Sequence, residues 1–359
     1  MRLLTTLMPM IGCVGTLALL ARSSAAQQPA KVLLALEKRG TLLDIIDPAT
    51  LKVIAKAPAG TDPHEVIAST NGKVAYISNY GGPQSTLHTI SVVDLVTHAA
   101  LPPIDIAPLH GAHGLDLADG KLYFTAEPNK AIGRYDPVTR TVDWVLGTGQ
   151  DRTHMVWVGP HFDRIVTSNV SSATISIIEL GTSSDGFGPP RGALQKSWEV
   201  TSVPVGKGSE GFDVAPDGTH IWAANARDAT VSIIDIATKT VIQTIPISVK
   251  GANRLKFTLD GTRVLISGLG AGGPGAAASS PSSAPPDLIV LDAATRKEVK
   301  ALKLGGGAAG ILMDPNGSRA FVAVSAGNKI AVIDLQSLSV SAEIAPLGEP
   351  DGMAWAMGK

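Results

Sequence analysis

Three of the chain's eight histidines, His64, His113 and His154, follow one another at intervals of roughly 40–50 residues. Each opens a short alternating apolar segment that runs into a turn. Aligning the chain on those turns brings seven pairs to one phase: His64-Glu65, His113-Gly114, His154-Met155, Glu210-Gly211, Asn253-Arg254, Ala309-Gly310 and Asp351-Gly352. The separations are too long for a local motif, so these side chains can meet only if the repeat closes into a ring. Neutral imidazoles converging with the Glu210 carboxylate would suit Zn²⁺ or another divalent transition metal. An open coordination position there would permit hydrolytic or lyase chemistry, with Glu210 as ligand or base. Arg254 would hold an anionic group of a substrate. Glu65, Asn253, Arg254 and Asp351 complete a candidate ligand-binding set. Asp62, Glu65 and His110 are close enough in sequence to orient the rings. The same residues also admit a plainer arrangement, in which the histidines line a water-filled mouth and Arg254 pairs with Glu210 or Asp351.

The elements that must position these groups are short strands. A phrase of apolar strand, acid and turn recurs at Asp47, Asp94, Asp136, Glu179, Asp235, Asp292 and Asp334, as in Val231-Ser232-Ile233-Ile234-Asp235. Around it the clearest copy reads as four strands, beginning at Gly211, Ile221, Thr230 and Val241, with Pro216-Asp217-Gly218 as a turn. Asn71-Gly72, Asp119-Gly120, Asp260-Gly261 and Asn316-Gly317 repeat that hairpin signal. Pro160-His161-Phe162 lacks the glycine, which predicts a different, longer turn. Seven such units of roughly 40–50 residues predict an all-β, seven-bladed β-propeller with four-stranded antiparallel blades. The segment from Val32 reads as a second strand, and Gly352 to Ala356 as a first strand. Three N-terminal strands and one C-terminal strand are therefore expected to share the closing blade. Seven acids at one phase point to turn building through their carboxylates, because catalysis needs one site and not seven.

Composition narrows the functions. The 359 residues carry a formal net charge of -1, with 4% aromatic residues. No broad basic surface or stacking platform is available, so nucleic acid is not expected as a partner. Arg2, the apolar run Leu3 to Leu20 and Ser24-Ala25-Ala26 predict a cleaved signal peptide over residues 1–26. Residues 27–359 then form a single domain, periplasmic or secreted, with no membrane span. The lone Cys13 leaves with the leader, which excludes cysteine catalysis and disulfides. The run from Gly268 to Pro286 is too rich in Gly, Ala, Ser and Pro to pack a core, and reads as a flexible insertion. Gly181 to Lys196 widens one further turn. A monomer is expected.

Ile221-Trp222-Ala223-Ala224-Asn225 and Val74-Ala75-Tyr76-Ile77-Ser78-Asn79, each leading to a strand like Val231 to Asp235, resemble the YVTN repeats of bacterial β-propellers. The likeness covers nearly all of the mature chain, although Leu265-Ile266-Ser267-Gly268 and Phe321-Val322-Ala323-Val324 lack the terminal asparagine. It implies export or a surface location and does not imply one activity, since similar proteins include binding proteins, assembly factors and, more distantly, seven-bladed lactonases. The expectation is an exported binding or scaffold protein with a small-molecule or protein ligand at the channel mouth. The alternative is a metal-dependent, lactonase-like hydrolase or lyase at the same mouth.

Overall fold

The computed structural model describes residues 31–183, 195–270 and 285–358. They form seven four-stranded antiparallel sheets. Blade 2 spans residues 63–105, blade 3 112–147, blade 4 153–204, blade 5 209–246, blade 6 252–302 and blade 7 308–344. Blade 1 is the closing blade, in which Pro350–Met357 pairs with Lys31–Glu37, followed by Leu42–Asp47 and Lys52–Pro58. The ring closes as three strands plus one, as the sequence implies. The leader and most of both Gly-rich departures lie outside the described residues. Among the described residues no helix is long and apolar enough to cross a membrane.

Blades hold together through their faces. The β-branched second and third strands are buried on both sides, as in Thr230–Asp235, while outer strands such as Thr240–Pro246 are largely exposed. The buried side chains fall into seven clusters, one at each blade interface. Between blades 5 and 6, for example, Val231, Ile233 and Trp222 pack on Leu255, Ile266 and Ile289. No cluster belongs to one blade alone, so each blade buries its faces only against its neighbours.

The recurring acids build turns in six blades. The Asp235 carboxylate accepts from the Thr238 amide at 2.7 Å, and Asp94 from Val96 at 2.7 Å. Asp47, Asp136, Asp292 and Asp334 accept in the same way. Glu179 instead pairs with Arg164 and Lys239, each at 2.7 Å. The turn after Val158 corrects an expectation. It keeps the length of the glycine-containing turns in blades 2, 5, 6 and 7, with Phe162 at φ 49° donating its amide to the Gly159 carbonyl at 2.9 Å. A left-handed aromatic residue is disfavoured by its own backbone. Here the ring is held against Tyr123 and Trp198, with centroids 5.2 and 4.9 Å away, and that packing fixes the turn.

The innermost strands approach backbone to backbone. A Cβ on Gly114 would lie 2.5 Å from the His154 carbonyl oxygen, and one on Gly211 would lie 2.5 Å from that of Asn253. Gly352 faces His64 in the same way at 2.3 Å. Backbone cannot swing aside as a flexible side chain can. Gly352→Ala is therefore expected to push blades 1 and 2 apart and to destabilise the protein by about 1–3 kcal/mol. The urea midpoint checks this, and an unchanged midpoint would show that the ring widens freely.

Candidate functional site

Each innermost strand breaks its ladder at the same place. Pairing with the second strand skips two residues between Pro63 and Val66, between Ala112 and Leu115, between Thr153 and Val156, and between Ser209 and Phe212. Blades 6 and 7 repeat the irregularity between Ala252 and Leu255 and between Ala308 and Ile311. The skipped residues are the seven pairs aligned from the sequence, except that the closing blade shifts its register around Asp351-Gly352. A bulge re-aims side chains and frees backbone groups from the ladder. Second-strand hydroxyls capture those groups. Thr125 Oγ1 accepts from the Gly114 amide at 2.8 Å and donates to the His154 carbonyl of the next blade at 2.7 Å. Ser168 links the Met155 amide to the Glu210 carbonyl, at 3.2 and 2.6 Å. Ser267 links the Arg254 amide to the Ala309 carbonyl, at 3.2 and 2.5 Å.

The three histidines do converge. His64 and His113 have ring centroids 5.1 Å apart, and His113 stacks on His154 at 3.8 Å with 29° between planes. His154 donates from Nδ1 to Glu127 and from Nε2 to Glu210 Oε2 at 3.0 Å. Two carboxylates on one imidazole make it an imidazolium. Burial alone would lower its pKa, but Glu210 and Glu127 outweigh burial and raise it. Glu210 would likewise be raised by burial, yet His154, Arg152 and Arg254 hold it down at about 2. His113 behaves in the opposite way. Burial, reinforced by the charge on His154, keeps it neutral, well below the ordinary histidine range. Its Nδ1 is buried and has no hydrogen-bond partner.

Other sequence-selected residues fall around this stack. Asp351 lies 3.5 Å from His64 Nδ1, and Asp62 lies 3.3 Å from His64 Nε2. Glu65 reaches across the channel to Arg254, whose guanidinium also donates to Asn253 Oδ1 at 3.2 Å. Arg254 thus pairs with an acid, and that acid is Glu65, not Glu210 or Asp351. His110 meets the Ser85 carbonyl at 2.6 Å and takes no part in orienting the three rings.

Four further residues complete the site. Tyr80 donates its hydroxyl to Glu127 Oε2 and lies edge-on to His64 and His113, at 4.9 and 4.7 Å. Arg152 approaches Glu127 at 3.4 Å and Glu210 at 3.9 Å, and Lys38 lies 3.3 Å from Asp351. Arg152 stands two residues before His154, whereas Lys38, Tyr80 and Glu127 lie outside the seven aligned pairs. These three share a phase of their own, one residue beyond the second strands that end at Glu37, Asn79 and Ala126. That phase reads Lys38, Tyr80, Glu127, Val170 and Ala226 in blades 1–5, and its polar arc lies on the same side as the histidines.

No family model and no curated protein matches the sequence. Solved structures do. A functionally unknown protein of Desulfotomaculum acetoxidans superposes with a TM-score of 0.67 at 13% identity, over 91% of this chain and 99% of the other. A candidate 6-phosphogluconolactonase of Bacteroides uniformis gives 0.67 at 11%, over 91% and 100%. Another, of Bacteroides fragilis, gives 0.66 at 14%, over 91% and 98%. The likeness is one of fold.

The two buried histidines give stability opposite pH dependences. His113 is depressed in the folded state, so its protonation favours unfolding and stability falls as pH drops below 6.5. His154 is raised, so its stabilisation is complete below 6.5 and fades as pH climbs through its folded value. Together they favour a maximum near 6.5. In urea midpoints measured against pH, His113→Gln is expected to flatten the acid limb. His154→Gln should flatten the alkaline limb while costing about 3–5 kcal/mol, because buried Glu127 loses its imidazolium and keeps only Tyr80 and Arg152. Unchanged limbs in both variants would refute the assignment.

Proposed function

We propose that this chain is an exported propeller of the YVTN-repeat type that binds a small polar molecule at the channel mouth, over His64, His113, His154 and Glu210. The observation that carries this reading is the buried, unpartnered Nδ1 of His113. It sits beside a network in which His154, Glu127, Glu210, Glu65 and Arg254 are all paired. Buried polar atoms are almost always hydrogen-bonded, and this one, set among the rings of His64, Tyr80 and His154, lacks a partner that a ligand group would supply. The flanking charges are already neutralised within the wall. The site would therefore select a ligand by hydrogen bonds to His113, His64 and Tyr80 more than by net charge. The leader-like residues 1–26 support export to the periplasm or beyond.

A lactonase-like hydrolase is the second reading, favoured by the fold shared with two candidate lactonases. In its metal-dependent form it would need His154 to release a carboxylate, since both ring nitrogens are engaged. As the side chains stand, no group of three His, Cys, Asp or Glu among the described residues is arranged to hold a metal ion. In the metal-free form Glu210, ionised and beside Arg152, would supply the base.

The test uses the mature protein, with sugar acids and sugar lactones as probes in thermal-shift and calorimetric titrations. Under the binding reading, at least one probe raises the melting temperature and is not consumed. That shift shrinks at least about tenfold in apparent affinity in His113→Phe, the loss of one buried hydrogen bond. Turnover of 6-phosphogluconolactone that is abolished in Glu210→Gln would favour the hydrolase instead. Stoichiometric Zn²⁺ binding that is lost in His113→Ala would restore the metal-dependent form. No response to any probe would overturn the binding reading.

A further inference from the structure

Blades 2, 4 and 5 tie their second strand to their third with one asparagine. Asn169 Nδ2 donates to Thr174 Oγ1 at 3.0 Å and to Ser176 Oγ at 2.9 Å. Asn225 donates to Thr230 and Ser232, each at 3.0 Å. In blade 2, Asn79 Oδ1 accepts from Ser91 at 2.8 Å. The matching register positions in the closing blade hold Glu37, where the others have asparagine, and Asp44, where they have serine. A neutral bracket has become a pair of acids. Both side chains are enclosed, with Asp44 at 0% and Glu37 at 8% side-chain exposure.

Lys56, the residue of the fourth, outer strand opposite Asp44, supplies one ammonium. Its Nζ lies 2.8 Å from Glu37 Oε1 and 3.1 Å from Asp44 Oδ1. Two carboxyls facing one cation in an enclosed site leave one negative charge unbalanced. The two acids lie side by side, so taking up one proton both removes that charge and makes a donor between them. The Asp44 carboxyl meets Glu37 and Lys56, and the backbone of Gly348 lies against Glu37. The neighbouring cations are directed elsewhere, Lys38 to Asp351 and Arg39 to Glu349. Burial, reinforced by Glu37, pushes the Asp44 carboxyl up to about 7.

We propose that Glu37 and Asp44 hold one proton between them, and that this shared proton is a pH-operated latch on the seam of the ring. The seam is where the pair sits. The loop after Glu37 donates the Lys38 amide to the Glu349 carbonyl and the Arg39 amide to the Gly348 carbonyl, both at 3.2 Å, so it joins the front of the chain to the turn that enters the closing strand Pro350–Met357. Loss of the proton to solvent leaves two carboxylates sharing Lys56. Their repulsion bears on Glu37 and, through it, on Gly348. The sign follows from the raised folded value. The stabilisation is complete below 3.8 and is lost as pH rises to about 7.

The test compares the wild type with the double variant Glu37→Asn, Asp44→Ser, which installs the bracket of blades 4 and 5 and should fold. With ¹³C-labelled Asp and Glu carboxyls, one wild-type resonance should titrate near neutrality and be missing from the variant. Between about pH 5 and pH 8 the wild-type urea midpoint should fall by more than that of the variant. If every carboxyl titrates in the ordinary acidic range, or if both proteins lose the same stability over that interval, the latch is overturned. Asp44→Asn offers a single-site check, in which the neutral-range resonance must also disappear.

Discussion

Everything at the channel mouth depends on how closely seven innermost strands can crowd together. At the axis there is room for backbone against backbone and little else, which is why glycine stands at 114, 211, 310 and 352 with a neighbouring carbonyl where a Cβ would be. Crowding alone would leave the bulged amides and carbonyls unpaired, at a cost of the order of 1–3 kcal/mol each if buried. Thr125, Ser168 and Ser267 resolve this by accepting from one blade and donating to the next. The hydroxyls are thus both ladder repairs and blade-to-blade ties. They set where His154 and Glu210 begin.

Given that placement, electrostatics sets the protonation states. Charges buried this deeply must be matched, and the mouth matches them unevenly. His154 has two carboxylates, and its stacked neighbour His113 has none. One imidazole is held charged and the other neutral at 3.8 Å, each favouring the other's state. Two histidines at equivalent positions of a repeat thereby acquire different chemistry. The difference originates outside their own strands, in Glu127 and Glu210.

The seven-bladed ring, its closure and the shared phase of the mouth residues were legible in the sequence, because alternation and turn chemistry repeat seven times and errors in one copy are corrected by the others. Asp62 beside His64 was also within reach, being two residues away. Glu127 and Tyr80 were not. They sit one residue beyond a strand end, and periodicity says little about where a strand stops. The Glu65–Arg254 pair spans the ring, and no single-blade register predicts it. Phe162 misled because turn rules are local, whereas the cluster of Tyr123, Trp144 and Trp198 that holds it is assembled from two blades. Misjudged features therefore share one property: tertiary contacts decide them.

The order of strands in the closing blade has a temporal meaning. Pro350–Met357 is the last strand in the chain, yet it brings Asp351 to His64 near the beginning. During synthesis the histidines of blades 2, 3 and 4 exist long before this final strand does. Until it docks, His64 has Asp62 but not Asp351, Lys38 lacks its carboxylate partner and the arc is open on one side. A complete mouth consequently requires the closing strand, and a translation product that stops short of it cannot present one.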